Sequence, residues 1–221
     1  MLDRLIAAAL LTMAGVTNAA ESCAVPPNLT PAPAGAQEEQ RILPVEKFVI
    51  AWYWWPQNCR NYPGEGCSQK FAFKVHGLWP DGAGKTYPQF CRAPTALSPA
   101  TVRANWCMTP AVSLLQHEWA KHGTCAWPDE KAFFADEQRV AAGIVMPDVS
   151  VLRGKLTAGS IRDAILKANP KLPRGSIFVG TDRKQWLTET RVCLTKAYAP
   201  MACEDNDIGA PDRVPVRVWP R

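Results

Sequence analysis

Hydrophobic and polar positions divide this chain into short stretches of two different periods. Residues 47–55 are β-branched or aromatic almost throughout and Pro56 follows, so the pattern predicts a buried strand ended by the proline. Phe71, Phe73 and Val75 alternate with Ala72 and Lys74, predicting a second strand with His76 at its end, where Gly77 and Pro80 break the alternation. Over residues 112–122 the period becomes helical. Val112, Leu115 and Trp119 share one side, and His117, Glu118, Lys121 and His122 occupy an arc of about 140° on the other. Thr109 before Pro110 reads as the N-cap of this helix and Gly123 as its stop. Further helices are expected over 131–141 and 160–168, and strands over 176–181, 190–194 and 214–219. Helices and strands mix without regular alternation, which predicts an α+β fold rather than a doubly wound one. Trp52, Trp54 and Trp55 read as core and sheet surface, because strand alternation already accounts for them.

The flanks carry no such period. Residues 24–44 are rich in Pro, Ala and Gln and read as an extended arm pinned by Cys23, while residues 58–69, with Pro63, Gly64 and Gly66, read as a loop that Cys59 and Cys67 would close. The apolar run 5–16 followed by the small residues 17–20 matches a secretory signal peptide cleaved after Ala19 or Ala20, and is too short to span a bilayer comfortably. The expected organisation is therefore a signal peptide over 1–20, an arm over 21–44 and a single domain over 45–221. A secreted or periplasmic, membrane-free protein follows.

Composition sharpens this picture at two points. All eight cysteines of the 221-residue chain lie beyond the expected cleavage point, at 23, 59, 67, 91, 107, 125, 193 and 203, with no CxxC pair. In an exported chain that pattern predicts four disulfides, each worth ~2–4 kcal/mol, rather than a zinc site. The net charge of +5 is mildly basic, which suits an anionic substrate, but no Lys/Arg run marks a dedicated nucleic-acid tail.

The chain has only three histidines, and all lie in two dense segments, Phe73 to Pro80 and His117 to Cys125. Imidazole, with an unperturbed pKa of ~6.5, suits proton transfer near neutrality. Two imidazoles can divide the work of removing a proton and supplying one to a leaving group, with Glu118 and Lys121 beside them. A metal reading fits poorly. The two histidines of a zinc-protease helix stand four apart on one face, whereas His117 and His122 stand five apart with a cation between them. A merely solvated polar face does not explain why the remaining histidine also falls in a dense motif.

Phe73-x-Val75-His76-Gly77-Leu78-Trp79-Pro80 and Leu114-x-x-His117-Glu118-Trp119-x-Lys121-His122-Gly123-Thr124-Cys125 resemble the two active-site signatures of the ribonuclease T2 family. The resemblance implies an α+β fold with a central antiparallel β-sheet flanked by helices and stapled by disulfides. It implies metal-independent, cofactor-free cleavage of single-stranded RNA, in which the 2′-hydroxyl attacks phosphorus to give a 2′,3′-cyclic phosphate and then a 3′-phosphate end. A 2′-hydroxyl requirement excludes DNA. By motif position His122 would be the general base, His76 the general acid and His117 a phosphate ligand, with Glu118 and Lys121 stabilising the transition state. The residues themselves do not say which imidazole is acid and which base. Trp79, Asp81 and Tyr87 match the positions that bind the base 5′ to the cut, and Leu114 stands where relatives often carry an aromatic for the second base. The likeness also pairs Cys91 with Cys125 and Cys193 with Cys203, with Cys59–Cys67 and Cys23–Cys107 as the preferred remainder.

The expected protein is thus a monomeric endoribonuclease of low base specificity, with no obligate protein partner. A non-catalytic RNA- or glycan-binding protein on the same scaffold predicts loss of His76 or His122, and both are present. A metal-dependent phosphoesterase predicts loss of activity with chelator.

Overall fold

The computed structural model describes residues 22–35, 39–204 and 207–221, and the expected signal peptide lies outside these residues. Four strands, β1 (Lys47–Trp54), β2 (Phe73–Asp81), β3 (Ile177–Thr181) and β4 (Leu187–Thr195), form an antiparallel sheet in the order β2-β1-β4-β3. Strand alternation gives the sheet two unlike faces. Phe48, Ile50, Trp52 and Trp54 join Ile177, Val179, Val192 and Leu194 in the core. The opposite face places Tyr53 beside Glu189, Ala51 beside Arg191 and Val49 beside Cys193.

Helices cover the core. They are α1 (Trp55–Asn61), α2 (Pro99–Asn105), α3 (Val112–Glu118), the short α4 (Thr124–Ala126), α5 (Glu130–Ala142) and α6 (Ala158–Ala168). The α3 end of the chain packs on β2, α5 reaches both β1 and β2, and α6 lies against β3. Among the described residues no helix is long and apolar enough to cross a membrane.

Several boundaries differ from expectation for identifiable reasons. β2 does not end at His76 but runs on to Asp81. It is an edge strand, where a proline's missing N–H breaks no ladder, so Pro80 is accommodated. Opposite it, Ala51 pairs with Gly77 and Trp52 with Val75, leaving His76 as the extra residue of a β-bulge. Pro56 does not merely stop β1; it occupies the first turn of α1, so Trp55 opens a helix and part of the expected loop is helical. Helix α2, missed in the sequence, has Ser98 as N-cap accepting from the Thr101 N–H. Residues 214–219 form isolated bridges to residues 157 and 186 rather than a strand. Pro215 removes a donor that a strand there would need.

Helix α3 is capped differently from expectation. Its N-cap is Ala111, and Glu65 accepts the Val112 N–H at 2.6 Å, while the Thr109 hydroxyl donates to the Val75 carbonyl at 2.8 Å. Beyond Glu118 the helix does not stop at Gly123. It widens into a π-helical turn, Trp119–Gly123, and resumes as α4. Gly123 permits the widening, since a Cβ there would meet Trp119 Cε3 at 2.3 Å. Carbonyls at the turn find other donors: Lys121 O accepts from the Phe90 N–H at 2.8 Å and Ala120 O from the Thr124 hydroxyl at 2.9 Å.

Four disulfides join Cys23–Cys107, Cys59–Cys67, Cys91–Cys125 and Cys193–Cys203. Cys125 sits just past the π turn, and its bridge closes a separation of 34 residues. Replacing Cys91 and Cys125 together by serine is expected to lower stability by about 4 kcal/mol from loop entropy alone, read by denaturant unfolding against the oxidised wild type.

Candidate active site

The bulge and the π turn meet. At the bulge His76 turns onto the sheet's second face, its ring stacked 3.8 Å from Tyr53, whose hydroxyl lies 2.9 Å from Nε2. Glu118, the last residue of α3, approaches from the other side, with Oε1 3.4 Å from His76 Nε2 and Oε2 accepting from Trp79 Nε1 at 2.6 Å. That approach requires Gly77, because a Cβ there would stand 2.0 Å from Glu118 Oε2. Across the sheet, Glu189 Oε2 lies 3.0 Å from His76 Nδ1.

A π turn closes over five residues rather than four, so positions five apart come round toward one side. The His117–His122 spacing, which an unbroken α-helix would splay, therefore delivers both residues to one cleft. Their settings differ sharply: His117 is exposed, Lys121 half-buried and His122 buried with Nδ1 lacking any partner. His122 lies under Trp79, with rings stacked at 5.4 Å.

Burial and neighbours push the two buried imidazoles in opposite directions. For His76, burial opposes the charged form, but the Glu118 carboxylate and then Glu189 outweigh it and raise the pKa to about 9. For His122, burial, reinforced by the Lys121 ammonium, prevails over Glu118 and lowers the pKa to about 3. Glu118 is held below the usual carboxylate range; burial acts the other way and His76 overcomes it. Beneath the site, Glu137 accepts the Leu78 N–H at 2.9 Å, and burial followed by repulsion from Glu118 pushes its carboxyl well above the usual range.

A cleft of about 350 Å³ gathers all the candidate side chains named from the sequence: His76, Trp79, Asp81, Tyr87, His117, Glu118, Lys121 and His122. Tyr87 is partly exposed at its rim, with the Arg41 guanidinium over its ring. Asp81 is already engaged, accepting from the Gly82 N–H and standing 3.6 Å from Lys47 Nζ, and burial raises its pKa. Beyond His117 a second, larger groove of about 740 Å³ runs past Tyr53, Tyr62 and Leu114. Among the described residues, no three His, Cys, Asp or Glu side chains group as a metal ion would need.

Tyr53, Glu189 and Arg191 also reach the site and were not singled out in the sequence. For Glu189 and Arg191 a signal existed, since two charges spaced by two point to one face of a strand. The strand expected over 190–194 began one residue too late to include Glu189.

Residues 45–149 match the model of the Ribonuclease T2 family. A "Probable ribonuclease" of Haemophilus influenzae is 28% identical over 165 residues, covering 64% of this chain and 59% of that protein. A "Ribonuclease" of Aeromonas hydrophila is 36% identical over 81 residues, 36% of this chain and 37% of that protein. The chain thus spans less than two thirds of the length of these curated relatives. Among solved structures, that of RNase NT in complex with 5'-AMP aligns with a TM-score of 0.62 at 19% identity, covering 80% of this chain and all of that one. At that identity the likeness is one of fold.

Two outcomes follow from the geometry. In an NMR titration of the three histidines, His76 is expected to stay charged until about pH 9 and His122 to remain neutral down to about pH 3. Because the folded-state pKa of His76 is raised, its pairing stabilises the protein fully below about pH 6.5 and that contribution fades as pH rises through about 9. Gly77→Ala is expected to displace Glu118, costing about 3 kcal/mol in denaturant unfolding and lowering the His76 titration midpoint.

Proposed function

We propose that this protein, whose residues 45–149 match the ribonuclease T2 family, is an endoribonuclease that cleaves single-stranded RNA by transphosphorylation. The observation that carries the reading is the meeting in one cleft of two buried imidazoles with unlike neighbours. His76 lies between the Glu118 and Glu189 carboxylates, which favours the charged form a general acid needs, and His122 lies beside Lys121 without a partner at Nδ1, which favours the neutral form of a general base. On this reading His122 takes the proton of the 2′-hydroxyl as that oxygen attacks phosphorus. The P–O5′ bond breaks, and the leaving oxygen takes a proton from His76. A 2′,3′-cyclic phosphate results, and water then opens it to a 3′-phosphate with the two histidines exchanging roles.

The remaining residues fall into place around that exchange. Lys121 and the exposed His117 flank the cleft where the phosphate's negative charge grows. Glu118 is itself an anion bound to His76 and Trp79, so its contacts support a part in holding His76 charged rather than in meeting the transition state directly. Trp79 and Tyr87 offer ring faces to the base 5′ to the cut. Asp81, the carboxylate available to read an exocyclic amine, already carries Lys47 and the Gly82 N–H, which supports low base specificity. The 740 Å³ groove past Leu114 is the place for the second base. Four disulfides support export to an oxidising compartment.

Product analysis on a single-stranded RNA in excess chelator tests this. Wild type is expected to leave cyclic-phosphate ends, and His76→Ala and His122→Ala each to slow cleavage by ~10²-fold to 10⁴-fold. A DNA of the same sequence stays intact. The kcat/KM profile is expected to fall above about pH 9, as His76 loses its proton, and to hold through neutral pH down toward the His122 limb near pH 3. No cleavage by oxidised wild type from acidic to neutral pH overturns the proposal in favour of an RNA-binding protein.

A further inference from the structure

His76 is held at both ring nitrogens, and by different elements. Its Nε2 faces the Tyr53 hydroxyl of β1 and Oε1 of Glu118 at the end of α3, at 2.9 and 3.4 Å. Its Nδ1 meets Oε2 of Glu189 on β4 at 3.0 Å. Glu189 is buried, and its second oxygen is fixed in turn: Oε1 accepts from Arg191 Nε at 2.7 Å and also from Arg191 Nη2. The Arg191 guanidinium spans the rings of Trp79 and Phe178, 5.1 and 4.4 Å from their centroids.

We propose that Glu189, braced by Arg191, is a positioning residue for the acid step, keeping a proton on His76 Nδ1 so that Nε2 alone exchanges one with RNA. The inference rests on the ribonuclease reading above and concerns residues outside the 45–149 segment that matches the family.

The argument is one of protons. A charged imidazole carries two N–H groups, and cleavage uses one of them. Nε2 lies toward Glu118 and the cleft, so its hydrogen must turn from Glu118 to the leaving O5′ as the P–O bond breaks. Nδ1 has no such change to make. Bound to a fixed carboxylate, it keeps its hydrogen throughout, so the neutral ring left after transfer is the Nδ1–H tautomer with its lone pair at Nε2. That lone pair is where a proton must return when water opens the cyclic phosphate. A carboxylate free to rotate would orient the ring poorly, and the double contact from Arg191 removes that freedom.

Other groups also act on His76: Glu118 of α3, Tyr53 of β1, Glu137 of α5, His122 of the π turn and, through Glu189, Arg191. Among the described residues Glu189 is the carboxylate that meets Nδ1. Its removal should therefore leave His76 raised by Glu118 but less so, and with its tautomer no longer fixed.

The test compares wild type with Glu189→Gln in the full-length oxidised protein, using steady-state cleavage of a single-stranded RNA across pH and NMR titration of the histidines. Expected are a kcat lower by ~10-fold or more with KM nearly unchanged. The alkaline limb and the His76 midpoint are both expected to move down by roughly one pH unit while His122 stays put. A Glu189→Gln protein with the kcat, alkaline limb and His76 midpoint of wild type overturns the inference. Should that variant fail to fold, Glu189→Asp carries the same test: withdrawing the carboxylate by one methylene is expected to lower kcat and the His76 midpoint, and wild-type values for both overturn it. The titration is read on free protein, so a wild type that cuts no RNA counts against the function proposed above and leaves the pairing measurable.

Discussion

Glu118 carries a negative charge in a place where water does not reach it, and the surrounding structure is organised around making that charge tolerable. An unpaired buried carboxylate costs several kcal/mol, and only close, well-directed partners offset it. Here the partners are His76 and the Trp79 indole N–H, both from β2, while the carboxylate itself comes from α3. Strand and helix are thereby locked at the height where the candidate catalytic groups meet. The absent side chain of Gly77 is part of the same contact, since it lets the carboxylate lie directly on the strand's backbone.

The asymmetry between the two buried histidines follows from where the chain puts them. His76 leaves a bulge on the sheet face, where Glu118 and Glu189 both reach it and more than offset its burial. His122 is carried inward by the π turn, beside a cation and with Nδ1 unpartnered, so burial outweighs the opposing Glu118 charge. Identical side chains are thereby driven toward opposite charge states by the groups the chain sets around them.

Much of this was legible in the sequence because it is local. Strands β1, β3 and β4 and helices α5 and α6 announce themselves by period and composition, and the candidate residues of both motifs do line one cleft. What sequence periodicity could not supply was irregularity. A bulge at His76 and a π turn after Glu118 each break the period that a pattern search assumes, and both are set by packing, of Glu118 on Gly77 and of Trp119 on Gly123. Glu189 was hidden for another reason. Its meaning depends on β4 pairing with β1, a long-range contact that no spacing along the chain encodes.

The strand order carries one more consequence, for the way such a protein is made. β1 sits between β2, which follows it closely, and β4, which is synthesised only after most of the chain. Until the last quarter has emerged, β1 lacks one neighbour and His76 lacks the carboxylate at Nδ1. Closing a loop that spans more than half the chain is a late and slow event in folding. The nascent polypeptide thus exposes every histidine before β4 can pair with β1, so the two-sided hold on His76 is completed only when these two distant segments of the chain have met.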